Sequence, residues 1–195
     1  EEKQDALKLL EEYRALLGAV KDSTPAKAEA ESAPVALEVR IDSLLSLMVL
    51  DTLSDAGRTM LGAVRSFTEG KYDTAIREFK DALVKRPTGP SVAYSIYNIG
   101  VCYMRLRLFS KAENQFQQIL DKYSSSPLAP RSLFLKALSY AERKDPTVSE
   151  KLFRSFIASH RQHPWVGKAY EKLGDAYADM EQQGKAVDAF EQAAN

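Results

Sequence analysis

Cysteine is almost missing from this chain. Its 195 residues hold one, Cys102, so no internal disulfide can form and the redox compartment stays open. A lone thiol with no histidine near it in sequence reads as a small buried hydrophobe. Histidine is nearly as scarce. His160 and His163 are the two present, three residues apart with Arg161 between them, and a solvated helix end is the favoured reading over a metal site. An excess of charge is absent too. Lys plus Arg and Asp plus Glu each number 27, so the formal net charge is zero. Without a basic surplus to neutralise phosphates, nucleic acid is not an expected partner. No uninterrupted apolar run is longer than Leu47 to Leu50, far short of the roughly 20 residues of a membrane-spanning helix. No strand pattern is visible, and so no glycine-rich phosphate loop follows one. We therefore expect neither catalysis nor a cofactor nor a metal.

What the chain does have is a rhythm. The stretch AIREFKDAL (75–83) aligns with AENQFQQIL (112–120), SEKLFRSFI (149–157) and AVDAFEQAA (186–194). The phenylalanines Phe79, Phe116, Phe153 and Phe190 each follow the last by 37 residues. The same step links the small residues Ala63, Gly100, Ala137 and Gly174, and then Tyr103, Tyr140 and Tyr177, with Ser66 in the first copy. It also links Pro90, Pro127 and Pro164. Four columns that keep step without slipping indicate a repeated structural unit.

Two helices explain the order within each copy. In the first, the small residue admits a neighbouring helix and the tyrosine lies one turn on, along the same face. In the second, another small residue and the phenylalanine are again one turn apart. Neither helix can bury its apolar stripe alone, so pairs must stack into one continuous core. Local signals agree. Ser110-Lys111-Ala112-Glu113 has the spacing of a capping box. Asp145-Pro146 offers a cap followed by a helix-opening proline. Gly70 and Gly184 are expected in the turns between paired helices, and the three prolines fall after the second helix.

This pattern resembles the tetratricopeptide repeat (TPR). The motif's signature positions correspond in copy two to Ile96, Ile99, Gly100, Tyr103, Ala112, Phe116, Ile119 and Ser124. Copy four keeps Tyr170, Leu173, Gly174, Tyr177, Ala186, Phe190 and Ala193. Copy one departs at Thr59, Gly62 and Ser66, and copy three at Lys136, Ser149 and Phe156. The resemblance implies an all-α TPR-type solenoid of four helical hairpins, over 56–92, 93–129, 130–166 and 167–195. The repeat is 37 residues long against the usual ~34, and the extra residues lengthen links such as KYSSSPLAP (122–130). Links of this S-P-x-A-P kind look like those of TPR proteins of bacterial cell envelopes. Examples are the Tol–Pal-associated coordinator proteins and the outer-membrane-assembly lipoproteins. That likeness implies a bacterial periplasmic or cell-envelope location, with the cytoplasm left open.

Ahead of the repeats the chain changes character. Residues 1–21 space Ala6, Leu9, Tyr13, Leu16 and Val20 as a short coiled-coil-like seam, or else as a helix packed on its own domain. Residues 22–34 form a linker rich in Pro, Ser and Ala. Residues 35–55 read as a helix that is apolar nearly all round from Leu44 to Leu53, so it should be buried against the array.

By the resemblance, the concave face is lined by the first helix of each pair. Copy one offers Met60, Leu61, Val64 and Phe67; copy two Tyr94, Tyr97, Asn98, Val101, Met104 and Arg105; copy three Arg131, Phe134, Leu135, Leu138 and Glu142. Copy four turns charged, with Lys168, Glu171, Lys172, Asp175 and Asp179. The expected function is a non-catalytic scaffold that takes a partner helix or peptide in this groove, with Tyr94, Tyr97, Asn98, Val101, Met104, Arg105, Arg131, Phe134 and Leu138 as contacts. The alternative is a structural protein that self-associates through residues 1–54. The carboxylate clamp of chaperone-binding TPRs is not expected. Its positions here hold Met60, Val64, Asn98, Arg131 and Leu135, and Asn98 alone fits in type. Trp165 should pack at the junction of copies three and four. The sequence reaches Asn195 inside the last second helix, so the face around Phe190 is expected to be less covered than that around Phe116.

Overall fold

A computed structural model of the protein describes residues 54–194. The N-terminal helix expected over 1–21, the linker over 22–34 and the apolar segment from 35 to 53 lie outside the described residues. Those described form eight helices and no strand. In chain order they are α1 (Asp55–Thr68), α2 (Tyr72–Lys85), α3 (Pro90–Arg105), α4 (Phe109–Lys122), α5 (Ala129–Glu142), α6 (Pro146–Ser159), α7 (Val166–Asp179) and α8 (Gln183–Ala194). The chain divides into two compact units, Glu1–Cys102 and Tyr103–Asn195.

Each helix begins and ends for local reasons. Ser54 caps α1 by accepting the Gly57 amide at 3.0 Å. Asp145 caps α6 through the Val148 amide at 3.2 Å, with Pro146 in the first turn where no amide is needed. The capping box expected at Ser110 does not form. Phe109 already belongs to α4, Leu108 is its cap, and no side chain caps it. Glu113, the acidic partner of that box, is instead turned to Arg143.

The turns inside the hairpins carry a column that residue types had hidden. Gly70, Arg107, Lys144 and Glu181 all adopt left-handed backbone, with φ of 74, 57, 62 and 59°. They too are 37 residues apart. One residue on, Lys71, Leu108, Asp145 and Gln182 each donate an amide hydrogen back to the carbonyls of Ser66, Tyr103, Tyr140 and Tyr177, at 2.8 to 3.0 Å. This is the six-to-one closure that ends many helices on a left-handed residue. The tyrosine column is therefore also the column whose carbonyls close the turns. Gly184, expected in the turn, lies within the first turn of α8, and Glu181 takes the left-handed position. Three of the four sites carry a side chain where glycine would be unstrained.

In the first unit α1 packs on α2. Ala63, Ala75 and Phe79 are wholly buried there. The Phe79 ring meets Tyr94 edge-on at 6.4 Å, which brings α2 to α3, and Ser95 Oγ lies 3.9 Å from Met60 Sδ, which sets α3 beside α1.

In the second unit each helix packs on the next from α4 to α8, and α5 also touches α7. Phe116 and Phe153 are wholly buried. Phe134 sits edge-on to Phe153, Phe156 and Trp165 at 5.4, 5.6 and 5.1 Å. Burying one such ring contributes about 1.5–3 kcal/mol, so this cluster anchors the third pair. The fourth pair closes differently. The ring of Phe190 lies on Gly174 so tightly that a Cβ there would fall 2.6 Å from it. Phe190 is nevertheless 40% exposed.

Between pairs, Ser126 and His163 hold equivalent places. Ser126 Oγ accepts the Leu128 amide at 3.2 Å, and His163 Nδ1 accepts the Trp165 amide at 3.1 Å. Both lead into the first helix of the next pair.

Candidate functional site

The first helices carry the residues that the repeat pattern points to, and the two units treat them differently. In the first unit, Met60, Val64 and Phe67 of α1 and Tyr94, Tyr97, Asn98 and Val101 of α3 are all buried. Burial on α3 is unbroken from Val92 to Cys102. Tyr97 is 1% exposed. The Asn98 amide group is turned back on its own helix, donating to the Tyr94 carbonyl at 2.9 Å. It is occupied as a helix-satisfied polar group.

The second unit keeps more of its positions accessible. Met104 is half-buried and Arg105 exposed at the end of α3. On α5, Arg131 is half-buried with its guanidinium 5.2 Å from the centre of the Trp165 ring, while Phe134, Leu135 and Leu138 are buried. Phe134 belongs to the core of the α5–α6 pair by its ring contacts, and Trp165 packs at the junction as its position predicted. Glu142 is exposed near Arg107, at 3.9 Å.

On α7 the charged row lies open. Glu171, Asp175 and Asp179 are exposed, and Lys168 and Lys172 half-buried. Burial works against a charged Lys172, yet Asp175 at 2.8 Å and Glu171 at 3.4 Å hold its pKa above the usual lysine range. Greasy positions are thus covered and polar ones presented.

The repeat step also builds a polar stitch from one pair to the next. Glu113 and Glu150 stand 37 residues apart, each in the first turn or so of a second helix. Glu150 accepts the Tyr177 hydroxyl at 3.2 Å and pairs with Arg154 at 3.2 Å. Glu113 is buried and accepts from Arg143 through both oxygens at 3.0 Å. Burial first, and then the neighbouring carboxylate, raise the pKa of both Tyr140 and Tyr177. These tyrosines stay neutral donors. Neither carboxylate was singled out by sequence reasoning, although the constant step between them was visible there.

A cleft of about 500 Å³ opens between α6 and α7, with Ile157, Val166 and Leu173 on its walls and Arg154, Arg161 and Tyr170 around them. His163 is no metal ligand in this arrangement. Its Nδ1 is taken by the Trp165 amide, and its ring lies edge-on to Phe156 at 5.3 Å and to Trp165 at 5.5 Å. Burial, then Arg131, then His160 lower its pKa below the ordinary value. Among the described residues no group of three His, Cys, Asp or Glu is placed to hold a metal, and no helix is long and apolar enough to cross a membrane. Cys102 is a buried free thiol.

Comparison with known proteins agrees with this architecture. The tetratricopeptide repeat family matches residues 66–127 and 97–164, and a second tetratricopeptide repeat pattern matches 167–195. The matches span more than half of the chain, which therefore belongs to the tetratricopeptide repeat family. No curated protein matches.

Among solved structures, the chain is similar to BtubC (BKLC) from P. vanneervenii, at 18% identity and a TM-score of 0.67 over 98% of this chain and 88% of that one. It is also similar to a Podosopora anserina putative kinesin light chain with nearly identical TPR-like repeats, at 17% identity and a TM-score of 0.66, over 100% and 95%. The crystal structure of MamA matches at 17% identity and a TM-score of 0.61, over 79% and 84%. At these identities the likeness shows the fold: all-α and of the TPR type. Such folds generally mediate protein–protein contacts.

Proposed function

We propose that the protein is a non-catalytic scaffold that takes a partner helix or peptide on the first-helix face of its second unit, within a bacterial cell-envelope complex. The observation that carries this reading is the contrast along that face. Exposed Arg105 and half-buried Met104 and Arg131 are followed by an open charged row on α7, which gives a partner both ion pairs and a few apolar contacts. Tyr94, Tyr97, Asn98, Val101, Phe134 and Leu138 are buried as the chain stands and are not direct contacts in this reading. The envelope setting is supported by the S-P-x-A-P link at 126–130, shared in kind with envelope TPR proteins.

The test is affinity capture from a bacterial envelope extract by the full chain, followed by mass spectrometry. Arg105→Glu combined with Glu171→Lys should abolish capture with helicity unchanged, because both reverse charge at exposed positions. Undiminished capture by that variant refutes the surface. Capture only from a cytoplasmic extract refutes the setting. Light scattering of the full chain addresses the alternative, since a self-associating structural protein would show a mass that rises with concentration.

A further inference from the structure

The seam between α6 and α7 differs from its counterpart one repeat earlier. Between α4 and α5 a chain of polar side chains crosses the seam. Lys136 Nζ donates to Gln117 Oε1, and Gln117 Nε2 donates to Asp121 Oδ1 at 2.6 Å. One repeat step on, the positions of Gln117, Asp121 and Lys136 hold Arg154, Ala158 and Leu173. The bridge cannot form there, because its lysine has become a leucine and its aspartate an alanine. All three of these residues line the cleft of about 500 Å³.

The cleft has an apolar floor and a positive rim. Leu173 is buried, and Ile157, Val166 and Tyr170 are half-buried. Arg154, Ala158 and Arg161 are exposed, so the cleft opens to solvent along α6. No acidic residue stands among the lining side chains. Arg154 pairs with Glu150 at 3.2 Å, and the same carboxylate accepts the Tyr177 hydroxyl. Arg161 has no acidic partner among the described residues. One carboxylate against two guanidiniums leaves the rim positive.

On α7 the lining residues Val166, Tyr170, Leu173 and Tyr177 follow one another at four, three and four residues, which is a single stripe. Lys168, Glu171, Lys172 and Asp175 fall roughly half a turn away from that stripe. The cleft and the open charged row are therefore on opposite sides of the same helix.

We propose that this seam binds an extended acidic segment of a partner protein, with one large apolar side chain in the cleft and two carboxylates on Arg154 and Arg161. The apolar floor supplies the place for the side chain. The guanidinium forks match carboxylates in charge and shape. About 7.5 Å of helix separates Arg154 from the end of α6 at Ser159, and Arg161 lies just beyond. An extended chain covers that distance in about three residues, which sets the spacing of the two acidic side chains. The seam is separate from the first-helix face, so one chain offers two partners distinct surfaces.

The test titrates the full chain into a fluorescein-labelled peptide, Gly-Ser-Asp-Leu-Ser-Asp-Gly-Ser, and reads fluorescence anisotropy. Saturable binding is expected. Replacing the peptide's leucine by serine, or both its aspartates by asparagine, should weaken binding about fivefold or more. Arg161→Glu should have an effect of the same size with circular dichroism unchanged, because the position is exposed. Arg154→Gln with Leu173→Lys rebuilds the bridge of the preceding copy and should close the cleft with a similar loss. Arg105→Glu with Glu171→Lys, which alters the first-helix face, should leave peptide binding unchanged.

Binding that survives Arg161→Glu, or that is lost in the Arg105 and Glu171 variant, overturns the proposal, and neither result depends on the rebuilt bridge folding. So does the absence of saturable binding up to about millimolar chain. If sodium octanoate displaces the peptide at an equal or lower concentration, the cleft is a site for small amphiphilic anions and the proposal fails.

Discussion

The first helix of copy two and the first helix of copy four share one repeat frame and have opposite surfaces. On α3 the positions facing the groove are Tyr94, Tyr97, Asn98 and Val101, all buried. On α7 the positions two repeat steps further along are Lys168, Glu171, Lys172 and Asp175, none of them buried. The frame positions that make the helix pack, Gly100 and Gly174, are buried in both. The frame therefore builds the scaffold, and the residues between frame positions decide independently what each copy shows to its surroundings. A repeat protein of this kind can seal the first helix of one copy and leave that of another open.

Because of that contrast, equivalent substitutions must have unequal costs. The largest gap is expected between Tyr97→Ser and Glu171→Ser. The first removes a buried ring and should cost about 3–5 kcal/mol, and the second about 0.5 kcal/mol or less, in urea denaturation of the full chain. Equal losses would mean the two faces are alike.

The second contrast is between Phe116, wholly buried, and Phe190, 40% exposed. Phe116→Ala should lose about 3–5 kcal/mol and Phe190→Ala about 1–2 kcal/mol. Gly174→Ala refines this. Its new methyl would overlap the Phe190 ring and cost about 1–3 kcal/mol. In a Phe190→Ala background the same change should cost under about 0.5 kcal/mol, so a double-mutant cycle detects the contact.

A smaller effect of opposite sign is expected at a turn. Lys144→Gly relieves a left-handed residue with φ of 62° and should raise stability by about 0.5–1 kcal/mol.

The smallest effect concerns pH. His163 is held below its ordinary pKa of about 6.5, mainly by burial, so the folded chain binds its proton less readily than the unfolded one. Its contribution is fully present above about pH 6.5 and is lost as the pH falls below it. Melting temperature should therefore drop on acidification, and His163→Asn, which can still accept the Trp165 amide, should reduce that drop.

Much of the fold was legible because repetition multiplies weak signals. A single Ala-x-x-x-Phe says little, but four in step, with a tyrosine column and a proline column in step beside them, specify paired helices and their order. Asp145 and Pro146 announced the start of α6 for the same local reason that they cap it. Other readings failed where a tertiary partner outbid a local one. The Ser110 capping box is absent because α4 begins earlier and Glu113 is taken by Arg143, thirty residues on. Gly184 was read as the turn because glycine tolerates left-handed backbone, while the chain places Glu181 there and ties it down with the Gln182-to-Tyr177 bond.

By itself the sequence determined the period, the helical class, the family and the residues available at each groove position, because these depend on spacing and side-chain type along one chain. Tertiary structure alone decided which of those residues are covered. Burial is a property of what lies across from a side chain, and no linear pattern states that. It also decided that Phe134 turns inward, that Arg131 stacks on Trp165, and that His163 serves a turn. Each of these is a choice between partners distant in sequence, settled by packing.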